Sequence, residues 1–105
     1  MKTQNLTGPA LDWAVAKCLG YSGEQASYIL FCDSSALAYS TDWAKSGPII
    51  EREMLTVAPA KHEGYMAWAY PKGAGYLGDT PLIAAMRCYV ASKMGDEIEV
   101  PEELR

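Results

Sequence analysis

The stretch Asp79–Gly95, DTPLIAAMRCYVASKMG, constrains the fold more than any other part of the chain. Both of its ends carry helix signals. Asp79 or Thr80 supplies a short side-chain oxygen for an unpaired backbone N–H of the first turn. Pro81 suits the first helical position, where a missing N–H costs nothing. Gly95 suits the left-handed conformation that ends a helix, and Lys93 sits near the negative end of the dipole. At about 100° per residue, Leu82, Ile83, Met86, Tyr89, Val90 and Met94 form a broad apolar arc. Ala84, Ala85, Cys88, Ala91 and Ser92 form a second face that is small rather than charged. Such a helix is expected to be covered on both sides, by its own sheet and by another helix or a partner chain.

The remaining elements are read around it. Leu11, Ala14, Val15, Cys18 and Leu19 recur at helical spacing between Thr7-Gly8-Pro9 and Gly20, which suit a start and a stop. Trp13 points nearly opposite to Leu11 and Val15, so it covers another layer or a loop, or serves as a ligand or subunit contact. Residues 1–6 read as frayed and 20–25 as a turn. Ala26–Cys32, ASYILFC, is rich in strand formers and reads as a buried strand. Ser40, Thr41 and Asp42 can each bond nearby backbone, so a turn or a short capped helix starts near Trp43. Pro48–Glu53 makes one or two helical turns with Pro48 first.

Residues 55–60 and 65–70 read as two strands joined by KHEG, a link of hairpin length. Tyr65, Ala67 and Ala69 share one face of the second strand, and Met66, Trp68 and Tyr70 the other. Residues 71–78 form a glycine-rich loop with an edge strand around Tyr76. The polar tail EIEVPEELR makes its last contact at Val100-Pro101. The expected fold class is α+β: a small antiparallel sheet with N- and C-terminal helices packed on it, an alpha-beta-alpha sandwich, in one domain over 1–105.

Composition limits the chemistry. Half of the 105 residues are hydrophobic, enough for a core without disulfides or metal. A net charge of −4 argues against nonspecific DNA or RNA binding, which requires many phosphate-neutralising cations. Cys18, Cys32 and Cys88 are odd in number and lack metal-type spacing, so they read as reduced, mostly buried thiols of a cytosolic protein. With no apolar signal core and no run approaching the ~18–20 residues that span a bilayer, no membrane role is expected.

No constellation names a reaction. His62 is the only histidine, and it falls in the expected hairpin turn. There is no Cys/His cluster and no G-x-S-x-G, so no catalytic set, metal or cofactor is expected. Gly73, Gly75 and Gly78 are spaced loosely like a phosphate loop but lack a βαβ context. The free N–H groups at Thr80 suit an anion, although Asp79 opposes one. Glu51 and Glu53 read as a solvated helix end, with paired catalytic carboxylates as the alternative. Arg52 and Arg87 lie inside apolar segments. Each either runs its stem along the core or grips a phosphate or carboxylate with its planar fork. Seven Tyr and three Trp against one Phe favour surfaces both apolar and wet. Trp43, Trp68, Tyr70 and Tyr89 form either a stacking pocket or part of a tyrosine-rich core.

Three segments, LTGPALDWAVAKCLG (6–20), YSTDWAKSGPIIERE (39–53) and TPLIAAMRCYVASKMGDEIEVPEEL (80–104), together resemble a family of small bacteriophage and prophage proteins described as a phage alpha-beta-alpha sandwich domain. The resemblance implies a compact sandwich, a phage origin and action in the cytoplasm of the infected bacterial host. It brings no established catalytic residue set. By analogy with small acidic phage proteins that silence host immunity, it suggests a non-enzymatic anti-defence sponge. Such a protein sequesters a nucleotide-derived signal, ADP-ribose-like or cyclic, as a homo-oligomer that closes the pocket. Trp43, Trp68 and Tyr89 would stack the base. Arg52, Arg87 and the Thr80 backbone would hold phosphate, and Ser40, Thr41 and Asp42 the ribose hydroxyls. The alternatives are a phage accessory protein that binds a host or phage protein and a hydrolase of the signal. A deeply buried Arg87 beside an aromatic-lined cavity favours sequestration, a flat apolar patch without a cavity favours protein binding, and carboxylates converging with His62 favour the hydrolase.

Overall fold

The computed structural model describes residues 1–61, 64–69 and 75–105. The expectations for His62, Tyr70 and Gly73 lie outside them. In chain order the elements are α1 (Gly8–Cys18), α2 (Gly23–Cys32), α3 (Trp43–Glu53), β1 (Leu55–Pro59), β2 (Tyr65–Ala69), β3 (Tyr76–Gly78) and α4 (Pro81–Met94). Short 3₁₀ turns lie at Thr3–Asn5, Ser34–Leu37 and Glu102–Leu104. The class is α+β, as expected.

Helix α4 forms as its end signals dictate. The Thr80 hydroxyl accepts from the Ile83 N–H at 3.1 Å, Pro81 opens the first turn, and Gly95 closes the helix at φ +86°. Leu82, Ala84, Ala85, Met86, Cys88, Tyr89 and Val90 are all buried. One side lies on the three strands and another meets α1, so both the large and the small faces find apolar cover. The approach to the sheet is close. A methyl group on Gly78 would sit 2.5 Å from the Ala84 nitrogen, so only glycine fits there without displacing the first turn.

The sheet is antiparallel in the order β1-β2-β3. Its register pairs Leu55 with Ala69, Val57 with Ala67, and Ala67 with Tyr76 on the face toward α4. Thr56, Ala58, Met66, Trp68 and Leu77 occupy the opposite face. The hairpin and the edge strand fall where the sequence places them. The layers run sheet, α4, then α1 with α2.

Three local expectations are corrected. Ala26–Cys32 is the body of helix α2, not a strand. The Ser22 hydroxyl accepts from the Gln25 N–H and the Gln25 side chain accepts from the Ser22 N–H, both at 3.1 Å. This capping box starts the helix within the segment read as a turn. Only Ala26 and Leu30, one helical turn apart, are buried. Second, α3 is one continuous helix from Trp43, with Pro48 in its interior rather than at its start. Asp42 accepts from the Ala44 N–H at 2.9 Å and caps it, and Met54 ends it at φ +54°.

Third, the N-terminal residues are tied down rather than frayed. The Thr3 N–H donates to the Asp96 carbonyl and its hydroxyl to the Gly95 carbonyl, each at 2.8 Å. Gln4 lies along the outer edge of β3. Its side-chain amide donates to the Leu77 carbonyl at 2.8 Å and accepts from the Leu77 N–H at 3.0 Å, satisfying that edge as a neighbouring strand would. Leu6 is fully buried. At the other end Val100 is buried too, as expected.

Candidate functional site

The residues singled out in the sequence fall into four places. Ser40, Thr41, Trp43, Thr80, Leu82 and Ile83 line a groove of about 230 Å³ where α3 and α4 both begin. The segment before it is held from below. Asp12 of α1 is buried, and its carboxylate accepts from the Ser40 N–H at 2.8 Å. The Ser46 hydroxyl donates to the Tyr39 carbonyl from within α3. Burial raises the Asp12 carboxyl above its ordinary range against the opposing pull of the Ser40 hydrogen bonds. The structure therefore gathers Thr41, Trp43 and Thr80, with Trp43 56% exposed. Asp42 sits between them as the cap of α3.

Arg52 and Tyr89 belong to a different cluster, at the C-terminal ends of α3 and α4. Arg52 donates through Nε to Glu53 at 3.0 Å and through a terminal nitrogen to the Tyr89 hydroxyl at 3.3 Å. Lys93 pairs with the same carboxylate at 3.2 Å. The hydrogen bond from Arg52 is the main reason the Glu53 carboxyl lies below its ordinary range. The Tyr89 ring is 1% exposed, so it has no open face on which a base could stack. This cluster clamps two helix ends together.

Arg87 is a strap. Its Nε donates to the Leu6 carbonyl at 2.7 Å and a terminal nitrogen to the Leu77 carbonyl at 2.6 Å, joining the N-terminal segment to β3. Desolvation lowers its pKa, with Asp79 opposing. Trp68 stands half-buried on the sheet face away from α4, across from Thr56. The groove lining does not include Arg52, Arg87, Trp68 or Tyr89.

Two further aromatic and thiol questions resolve locally. Trp13 is buried against α2, with its indole N–H donating to the Gly23 carbonyl at 3.1 Å. Burial pushes the Cys18 thiol up to about 11 and raises Cys88 as well, so neither carries an activated thiolate near neutral pH. Cys32 is exposed, unlike the other two.

A further concavity was not foreseen. It measures about 460 Å³ and lies between α2, the start of α1 and the C-terminal turn, with Pro9, Tyr28, Leu30, Phe31, Glu103 and Leu104 among its walls. The lining is mostly apolar. Phe31, the only phenylalanine of the chain, is 91% exposed, and Tyr28 is 70% exposed. The signal was present in the sequence. Read from the Ser22 cap, ASYILFC puts Ala26 and Leu30 on the buried side of a helix and leaves Tyr28 and Phe31, three residues apart, side by side in water.

Fold and surface together describe a small α+β protein that carries, among the described residues, a modest groove at two helix starts and a larger apolar groove on an outer helix. The sequence profile of the bacteriophage P22 NinX family matches residues 2–93, and the chain belongs to that family. No curated protein matches the chain. The family agrees with the phage resemblance carried by residues 6–20, 39–53 and 80–104. No helix among the described residues is long and apolar enough to cross a membrane.

Proposed function

We propose that this phage protein is an accessory factor that works by binding another protein, and that α2 is the contact. The observation that carries the reading is Phe31 standing 91% exposed beside Tyr28 at the mouth of the 460 Å³ groove. A helix of a self-sufficient domain turns polar residues outward. Here two aromatic rings face water next to an apolar concavity, the arrangement expected of an interaction anchor. The protein acts as a binder rather than a catalyst, in the cytoplasm of the infected host. The test is affinity purification of the tagged chain from infected cells, as wild type and as the Tyr28→Gln/Phe31→Gln pair. A stoichiometric protein partner retained by the first and lost by the second, at equal melting temperature, is the expected result. Equal recovery by both removes α2 as the contact.

A second reading, sequestration of a nucleotide-derived immune signal, has one observation in its favour: Thr41, Trp43 and Thr80 share one groove. At about 230 Å³ the groove is below the ~300–1,000 Å³ typical of small-molecule sites and suits a base or a single phosphate rather than a dinucleotide. Asp42 and Asp79 flank the two helix starts and oppose an anion there. A mass spectrum of small molecules released by heat from protein purified out of cells with an active nucleotide-signalling defence tests it. An intact stoichiometric nucleotide supports sequestration, and a groove found empty under those conditions counts against it.

A further inference from the structure

The rim of the α2 groove has a charge as well as a shape. Glu103 is part of its wall, and Glu102 precedes it in the same exposed turn. Glu24 lies one helical turn before Tyr28, on the same side of α2. Asp33 follows the helix directly, beside Ser34, which also lines the groove. All four acidic residues are exposed. No lysine or arginine is among the residues that line the groove, and Arg105, two residues beyond Glu103, is engaged elsewhere. Its Nε donates to the Val100 carbonyl at 2.8 Å, and its guanidinium lies 3.8 Å from Glu99. Four more cations have partners away from the groove: Lys17 lies over the Trp13 ring, Arg52 and Lys93 are on Glu53, and Arg87 is on main-chain carbonyls. The groove is therefore apolar at its floor and acidic at its edge.

We infer that the occupant is a protein segment carrying a large apolar side chain flanked by lysines or arginines. This rests on the protein-binding reading above and adds the chemistry of the partner. The apolar anchor fills the space between Leu30, Phe31 and Leu104, and the flanking cations meet Glu24, Asp33, Glu102 and Glu103. Complementary rim charges add mainly to association rate and partner discrimination, while the apolar centre supplies most of the affinity. A second copy of this chain fits poorly, because apposing two such surfaces would bring acidic rim against acidic rim.

The test uses the intact protein and two fluorescent amphipathic helical peptides with the same leucine and tryptophan face, one with lysines and one with glutamates on its polar face. The lysine peptide is expected to bind at least about tenfold tighter. Its affinity should fall with added salt and be lost in the Tyr28→Gln/Phe31→Gln pair. Reversing the rim with Glu24→Lys/Glu103→Lys should invert the preference between the peptides. Equal binding of the two peptides, binding of neither, or lysine-peptide binding that survives loss of both rings overturns the inference. So does a dimer in sedimentation that dissociates on loss of the rings, which would make a second copy the occupant. If infected cells yield a partner that depends on Tyr28 and Phe31 while the peptides show no charge preference, the rim chemistry alone is wrong. If no such partner exists, the protein-binding reading fails with it.

Discussion

Replacing Arg87 separates a structural strap from a ligand grip. Arg87→Met keeps an apolar stem of similar reach and removes two charge-assisted hydrogen bonds. The two are not equal. The Leu77 carbonyl keeps its bond from the Gln4 amide, so that end loses little. The Leu6 carbonyl belongs to a fully buried residue and loses its 2.7 Å donor from a cation. A hydrogen bond to a charged group contributes about 1.5–3 kcal/mol, and a part-exposed one about 0.5–1 kcal/mol, so the loss should be about 2–4 kcal/mol. At about 4–8 °C per kcal/mol for a domain of this size, the melting temperature should fall by about 8–32 °C. A thermal melt of the ligand-free protein measures that fall, and a urea titration measures the free-energy loss. Arg87→Lys should recover only part of the loss, because one ammonium cannot reproduce a fork that reaches two carbonyls. An unchanged midpoint for Arg87→Met would refute the strap and return this residue to the list of ligand contacts.

The other predictions concern packing, backbone strain and titration. Gly78→Ala puts a methyl 2.5 Å from the Ala84 nitrogen and should destabilise by about 1–3 kcal/mol, and an unchanged midpoint in denaturant would remove the close contact. Met54→Gly relieves a left-handed residue at the end of α3 and should raise stability by up to about 1 kcal/mol, and a loss would show that the Met54 side chain outweighs its strain. Burial raises the Asp12 carboxyl, so the native state holds that proton more tightly than the unfolded chain. Its contribution is therefore most favourable below the unfolded value and declines as pH rises through the folded one. The stability of wild type relative to Asp12→Asn should fall across that window, and a difference that does not vary with pH contradicts the burial effect.

The fold was legible where signals are local. The cap, the N1 proline and the terminal glycine of α4 are read from neighbouring letters, as is the hairpin length of the β1–β2 link. Helix α2 differs from the strand expectation because the strand-forming letters of ASYILFC yield to the Ser22–Gln25 cap that starts it. Side-chain propensity is weak against two reciprocal hydrogen bonds at a helix start. The N-terminal residues were misread because their partners, Asp96, Gly95 and Leu77, lie far away in sequence. The same limit governs the site. Thr41, Trp43 and Thr80 come together because two helix starts meet. Arg52, Arg87, Trp68 and Tyr89 scatter because distant carbonyls, a carboxylate and strand register decide where they end up. The α2 groove depends on the helical conformation of this segment, which sets Tyr28 and Phe31 side by side.

The most direct test places a photo-crosslinking amino acid at Tyr28, on α2, and in a second variant at Thr56, which is exposed on the sheet face away from α4. Both variants are irradiated in infected cells. A discrete protein adduct formed from position 28 and absent from position 56 is the predicted result. The same adducts from both positions, or none from position 28 while the chain is folded and functional, would contradict the assignment of α2 as the binding surface.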